Sequence, residues 1–350
     1  MHTTTIGVDL AKRVFQVAVA DAQYRITQRL RLTRARFERF IASHSASLFV
    51  MEACGSAQHW ARRLTALGHE VKLLPAQYVR AYVRRNKTDA ADAAALIEAS
   101  RCQEIKPVAV KTLEQQQLIQ LHRLRESHKR TRIAQINLLR GCLREFGFAV
   151  PVGAVRGCAA MSEVLESADN GLPDALRPWV AAGLEQIRTC KGQERELERQ
   201  IKALVEPDEL VQRWLAAPGI GLLGASAVRA LAGDLHRFPS GRHFASWLGV
   251  TAREYSSGEQ RRLGRISKRG DSYLRMLLIH GARSALNAAA RAEKAGRRLD
   301  PLQRWALQTE QRIGRNKATV ALANKIARVL WAMARYQRAY DPNYSAPHEH

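Results

Sequence analysis

Two aspartates three residues apart, Asp89 and Asp92, stand in the run RRNKTDAADAAALIE at 84 to 98. Alanine is the strongest helix former and nothing after Thr88 breaks a helix, so both carboxylates fall on one face about one turn apart. Like charges that close repel, and the pair needs a positive partner. Two further acids end apolar runs: Asp9 in TTIGVDLAK and Glu52 in SLFVMEA. If those two runs are neighbouring strands, their C-terminal ends converge, and a helix packed across that edge brings its own acids to the same point. Four carboxylates in one place call for hard cations. Mg²⁺ takes oxygen ligands and often works in pairs, clamping the attacking and leaving oxygens of a phosphoryl transfer. The expected cofactor is therefore Mg²⁺, as two ions. Taken singly, each acid also reads as a strand-end cap or a solvated helix residue; that reading loses ground when all four coincide in a chain of net charge +24.

A second constellation is Tyr255, Ser256, Ser257 and Gly258, expected in a loop between the apolar FASWLGV and an Arg-rich stretch. A serine beside guanidinium groups can attack phosphorus if a base or metal takes its proton and the cations stabilise the growing charge. Between 261 and 275 the cations are Arg261, Arg262, Arg265, Lys268, Arg269 and Arg275, against one acid, Asp271. YSSG by itself reads more simply as a turn. Arg84, Arg85 and Lys87 either hold a phosphate backbone near the acids or neutralise the start of the acidic helix. PGIG at 218 to 221 is either a helix-hairpin-helix that grips a DNA phosphate through backbone N–H groups or a tight interhelical turn.

The balance of 56 Lys and Arg against 32 Asp and Glu, with a pI near 10.6, points to a polyanionic partner, nucleic acid first and a membrane surface second. No apolar run of about 18 residues is present to span a bilayer, and MHTTTIGVDL lacks the regions of a signal peptide. The expectation is a soluble, cytoplasmic protein with no membrane partner. Five scattered cysteines, never as CxxC, argue against a disulfide framework and a cysteine zinc site. The absence of GxxxxGK[ST] argues against ATP-driven chemistry.

The elements that must position these residues follow from periodicity. TTIGVDLAK, VFQVAVADA and YRITQRLRL read as three consecutive strands, SLFVMEA as a buried strand, AQHWARRLTALG as an amphipathic helix stopped by Gly68, and EVKLLPA as a further strand. That order fits an α/β domain whose sheet carries a meander at one edge. From about 110 the strand signals vanish. Leu118, Leu121, Leu124, Ile133, Ile136 and Leu139 mark one long helix; 150 to 180, with Pro151, Pro173 and Pro178, reads as a connector with a short helix; Leu197, Ile201 and Leu204 resume the stripe as half of a helical hairpin or coiled coil. The remainder is helical at both ends with a basic middle and a frayed tail.

VDLAK, VMEACGS, RNKTDAADA, APGIG and the run FASWLGVTAREYSSGE to LGRISKRGDSYLRMLLIHGAR together resemble the DEDD transposases of the insertion-sequence one-ten family, and KTDAADA with SKRGDSYLR is most similar to its eleven-eleven subgroup. The likeness runs from near residue 5 to near residue 335. It implies a RuvC-like domain of the RNase H superfamily over 1–150 ending in a long helix, a helical coiled-coil linker over 151–205, a mainly α-helical C-terminal transposase domain over 206–342, and a tail over 343–350. It implies a recombinase that excises and inserts its element through double-stranded donor and target DNA, guided by a structured non-coding bridge RNA. Carried over residue by residue, the Mg²⁺-binding acids are Asp9, Glu52, Asp89 and Asp92. The nucleophile that forms a phosphoserine link is Ser257, with Ser256 as its neighbour in register. The resemblance further implies a homo-oligomer, dimer to tetramer, in which acids and serine of one active site come from different protomers.

Two other functions fit parts of the same pattern. A junction-resolving nuclease would use the acids alone, and a non-catalytic nucleic-acid-binding protein would need only the charge. Guide sequence, donor ends and target site leave no trace in such a protein, because base pairing would carry them.

Overall fold

A computed structural model describes residues 4–82, 89–258 and 260–343. The chain divides into two compact units, Met1–Leu113 and Glu114–His350.

In the first unit three alternating segments, β1 (Thr5–Asp9), β2 (Val14–Ala20) and β3 (Ile26–Thr33), form an antiparallel meander. After α1 (Arg34–Ser43) the chain returns as β4 (Leu48–Glu52), parallel to β1, and after α2 (Ala57–Ala66) as β5 (Glu70–Leu74), parallel to β4. The short α3 (Ala76–Val79) and α4 (Asp89–Ser100) follow. The strand order is β3-β2-β1-β4-β5, so the expected meander sits at one edge and β1 and β4 are neighbours. Helix α1 went unread in the sequence because RARFERF is dense in charge. Its signals are the cap at Thr33, whose side chain accepts from the Arg36 N–H, and the buried i,i+4 pair Phe37 and Ile41.

Strand alternation assigns the two sheet faces. Ile6, Val8, Phe49 and Met51 join Phe37, Trp60 and Leu64 in one core, where Phe15, Phe37 and Trp60 meet edge to face at 5.0 to 5.2 Å. Leu48 and Val50 on the opposite face pack with Leu96 and Ala99 of α4, and Ala18 and Ala20 with its Ala93 and Ile97.

Helix α5 (Leu113–Glu145) lies in the second unit from its second residue on, followed by α6 (Ala154–Glu166) and α7 (Arg177–Val205). Helices α5 and α7 run antiparallel along their length. Leu118 and Ile119 share a core with Ile201 and Val205, Arg125 pairs with Glu198, Arg132 with Glu194, and Ile136 and Leu139 pack with Val180 and Leu184. Two sequence expectations change here. Leu124 and Ile133 are exposed while Ile119 and Leu143 are buried, because strict three-residue steps drift off one helix face and the buried face follows alternating three- and four-residue steps. Pro178 belongs to α7 and not to the connector: it occupies the first turn, where a missing N–H costs nothing.

The rest comprises α8 (Glu209–Trp214), α9 (Leu222–Leu231), α10 (Gly241–Trp247), the hairpin of β6 (Ala252–Glu254) and β7 (Leu263–Ile266), α11 (Ser272–Lys294), α12 (Pro301–Ile313) and α13 (Arg315–Arg335). Buried His122 ties three helices together. Its Nδ1 lies 3.0 Å from the Tyr273 hydroxyl and its Nε2 3.1 Å from Ser226 Oγ. Ser226 donates to the Leu222 carbonyl, so the imidazole is the donor at Nε2 and the acceptor at Nδ1. Burial pushes the His122 pKa down to about 4 and the Tyr273 hydroxyl up to about 12. Among the described residues no helix is long and apolar enough to cross a membrane.

Candidate active site

The acids are positioned by strand register and by one glycine. Val8 pairs with Met51, so Asp9 and Glu52, next along each strand, end adjacent parallel strands on the same sheet edge. By alternation Asp9 shares a face with Gly7, and Glu52 with Val50; both are on the face that α4 covers. A Cβ on Gly7 would lie 2.2 Å from the Ala93 carbonyl oxygen and 2.9 Å from Ile97 Cγ1. Helix α4 therefore rests directly on the β1 backbone, and Asp92 is one residue from that closest approach. The glycine within an apolar strand was the sequence signal for this contact, and it was missed.

Asp92 Oδ1 is a buried carboxylate oxygen with no hydrogen-bond partner. An unmet buried acceptor of this kind costs free energy unless a cation or donor meets it. Carboxylates on one sheet face are the oxygen donors that Mg²⁺ takes, so the residues fit such an ion chemically. Among the described residues no three His, Cys, Asp or Glu side chains stand close enough to hold one metal ion. The structure thus brings Asp9 and Glu52 to one edge and Asp92 to the helix above it, without gathering them into a closed ligand set. Asp89 opens α4; its side chain lies outside the described residues, as do Arg84, Arg85 and Lys87 altogether.

The serines stand in the second unit, in the expected loop, which here joins β6 to β7 and closes their hairpin. Tyr255 N–H donates to the Arg262 carbonyl at 2.8 Å, and Ser257 and Gln260 exchange backbone hydrogen bonds of 3.3 and 3.2 Å, closing the tip. Gly258 turns the chain there at φ +58°. The two hydroxyls differ. Ser256 Oγ donates to Glu254 Oε1 at 2.7 Å and accepts from the Arg262 N–H at 3.1 Å, so it braces the hairpin. Ser257 is exposed at the tip, and no described residue bonds its hydroxyl. Glu254, which the sequence did not single out, also pairs with Arg261 at 3.4 Å.

The predicted cations divide. Arg261, Arg262, Arg265 and Arg269 are exposed side chains on the hairpin and at its base. Lys268 takes a left-handed φ of +55° and its N–H donates to the Gly249 carbonyl. Arg275 Nη1 donates to the carbonyls of Leu248 and Gly270, which clamps the hairpin base to α11. Asp271, the lone acid of the run, caps α11 by accepting from the Leu274 N–H at 2.8 Å. In PGIG, Gly219 sits at φ +75° with its would-be Cβ 2.3 Å from the Gly281 carbonyl oxygen, so this glycine is needed for backbone-to-backbone packing on α11.

Comparison with known proteins adds two family matches. Residues 6–148 match a DEDD transposase family of the IS110 type, and residues 212–296 match the "Transposase IS116/IS110/IS902 family". The chain is 43% identical to a protein of Pseudomonas aeruginosa described as "Probable family 20 transposase", over 98% of this chain and 100% of that one. It is 35% identical to the transposase for insertion sequence element IS1111A of Coxiella burnetii, over 96% of this chain and 90% of the other. It is 34% identical to the transposase for IS1328 of Yersinia enterocolitica, over 95% and 97%.

Proposed function

Because this chain belongs to the IS110 family of insertion-sequence transposases, we propose that it is a site-specific recombinase that cuts and rejoins double-stranded donor and target DNA through a serine nucleophile. On this reading Asp9, Glu52, Asp89 and Asp92 hold Mg²⁺, and Ser257 attacks phosphorus. Residues 1–150 carry the acids, 151–205 a coiled-coil linker and 206–342 the serine. A bridge RNA supplies sequence specificity, and acids and serine meet across protomers of a tetramer, as the likeness to the eleven-eleven subgroup implies.

The observation that carries the acidic half is the buried, unpartnered Oδ1 of Asp92 on the helix that crosses the strand of Asp9. When bound there, Mg²⁺ supplies stabilisation of charge on the phosphate and on the oxygens that attack and leave. The serine half is supported by the contrast between Ser256, whose hydroxyl is committed to Glu254 and Arg262, and Ser257, exposed beside them. In the covalent step a bond forms between Ser257 Oγ and phosphorus, the serine proton passes to a base, one phosphorus–oxygen bond to a deoxyribose breaks, and the departing oxygen takes a proton. A strand hydroxyl from the second duplex reverses the step and releases the serine. Each step exchanges one phosphodiester for another, which agrees with a chain lacking an ATP-binding loop. Arg261, Arg262, Arg265, Lys268 and Arg269 follow the tip closely in sequence and would offset phosphate charge, and Arg84, Arg85 and Lys87 immediately precede Asp89 in sequence.

The test combines purified protein, bridge RNA, donor and target DNA in Mg²⁺, resolved on a denaturing gel. Wild type and Ser256→Ala give protein-bound DNA; Ser257→Ala gives none. Cleavage without an adduct would mean a hydrolytic junction nuclease. Recombination at wild-type level by Ser257→Ala or Asp9→Ala would refute the mechanism. Metal binding is read separately: Mg²⁺ raises the melting temperature of wild type and not of Asp92→Asn.

A further inference from the structure

At the base of the serine hairpin is a cavity of about 530 Å³, lined by Arg253, Glu254, Tyr255, Ser267 and Arg269 among others. That is within the size range of small-ligand sites, about 300–1,000 Å³. Three features of its wall point to one kind of occupant. Arg253 and Arg269 bring two guanidinium groups, while the only carboxylate among the described wall residues, Glu254, is already engaged by the Ser256 hydroxyl and Arg261, so this wall attracts anions. Arg253 is held in place by donating Nη2 to the Ser267 carbonyl at 3.2 Å. Ser267 Oγ is buried with no hydrogen-bond partner, leaving one polar group in the wall unmet.

The third feature is aromatic. Tyr255 is 61% exposed although its neighbours are fixed in the hairpin, and it takes part in no ring or cation pair among the described residues. Its ring edge lies over Gly264, where a Cβ would come within 2.7 Å of Tyr255 Cε2. Glycine at this point of β7 lets the ring lie against the strand and leaves apolar ring surface open at the cavity. An anion-attracting wall next to a braced, exposed aromatic ring matches a phosphate joined to a flat base.

We propose that this cavity binds one unstacked nucleotide of single-stranded DNA, with its base on the Tyr255 ring and its phosphate between Arg253 and Arg269. Tyr255 is two residues from Ser257, so the bound nucleotide belongs to the strand that the serine attacks; this part rests on the reading of Ser257 given above. Holding an unstacked nucleotide beside the tip opens the duplex locally and fixes which phosphate the hydroxyl meets.

The test uses full-length protein and a short single-stranded DNA carrying 5-iododeoxyuridine, at salt high enough to suppress general attraction to so basic a chain. Affinity is measured by fluorescence anisotropy, and the photo-crosslink is mapped by mass spectrometry. Tyr255→Ala weakens binding roughly 5- to 150-fold, the range of one base–aromatic stack. Tyr255→Phe binds as wild type, and the crosslink maps to Tyr255. Arg269→Gln reduces the salt slope of binding by about 0.7, one phosphate contact on a single strand. Binding by Tyr255→Ala within twofold of wild type, or a crosslink confined to other residues, overturns the proposal. Tighter binding of the same sequence as RNA also overturns it and makes RNA the occupant. The phosphoserine adduct is scored separately on wild type: its absence, with Tyr255-dependent binding intact, removes the reading of Ser257 and not the nucleotide site.

Discussion

Substituting Gly7 by alanine tests whether the acidic site depends on α4 lying on β1. The new Cβ would stand 2.2 Å from the Ala93 carbonyl oxygen, short of ordinary van der Waals contact by roughly 1 Å. Strand β1 cannot yield, since it is hydrogen-bonded between β2 and β4 and its Ile6 and Val8 are fully buried in the core beneath. Helix α4 must therefore lift, and Ala93, Leu96, Ile97 and Ala99, all buried under it, lose part of their packing. Overpacking of this kind costs about 1–3 kcal/mol. The lift also carries Asp92 away from the strand end that bears Asp9, and a displacement of about 1 Å in a catalytic constellation lowers a rate by up to about 100-fold. Urea denaturation reads the first effect. Donor-DNA cleavage, at a temperature where the variant remains folded, reads the second. Gly55→Ala, with open space around its would-be Cβ, serves as the control. An unchanged urea midpoint for Gly7→Ala would refute the packing argument, and lost stability with full cleavage would refute the placement of the acids by α4.

Other outcomes follow from the second unit. His122 titrates near 6.5 when unfolded but is held down to about 4 when folded, so the unfolded chain binds more protons between those values. Its contribution, about 3 kcal/mol at most, is present above pH 6.5 and lost as pH falls toward 4; urea midpoints from pH 4 to 7 should fall less steeply with acid in His122→Gln than in wild type. Arg132 forks onto Glu194 at 2.6 and 3.1 Å, with both side chains largely buried. Arg132→Ala should cost about 3 kcal/mol by leaving that carboxylate unpaired, and Arg132→Met with Glu194→Leu should recover most of it in the same denaturation assay. Gly192 lies in α7 with nothing near its would-be Cβ, so Gly192→Ala should raise stability by about 0.5–1 kcal/mol, seen as a higher urea midpoint.

Much of this organisation is legible in local pattern. Alternation in VFQVAVA and the apolar run LFVME identify strands, the alanines after Asp89 identify α4, and the switch to helical spacing after 110 marks where the first unit ends. The four acids and the serines stand out in the chain as candidates because side-chain chemistry does not depend on the fold, and the choice of Ser257 over Ser256 came from the family resemblance. Strand order is different in kind. That Asp9 and Glu52 share an edge and a face depends on β1 pairing with β4, residues 43 apart in sequence, and that α4 covers this face depends on Gly7. The YSSG segment is a hairpin only because β7 returns to pair with β6, which commits Ser256 to Glu254 and leaves Ser257 outside.

Composition and periodicity by themselves marked the five strands of the first sheet and the long helix after 110, and pointed to a polyanionic partner and to side chains suited to phosphoryl chemistry, since these follow from each segment's own propensities and charge. Tertiary structure alone decided which face Asp9 and Glu52 occupy, which of two adjacent serines is committed, and that Arg275 clamps carbonyls at the hairpin base. Those outcomes are set by contacts between segments distant in sequence, where a single glycine or one returning strand selects between arrangements that are locally equivalent.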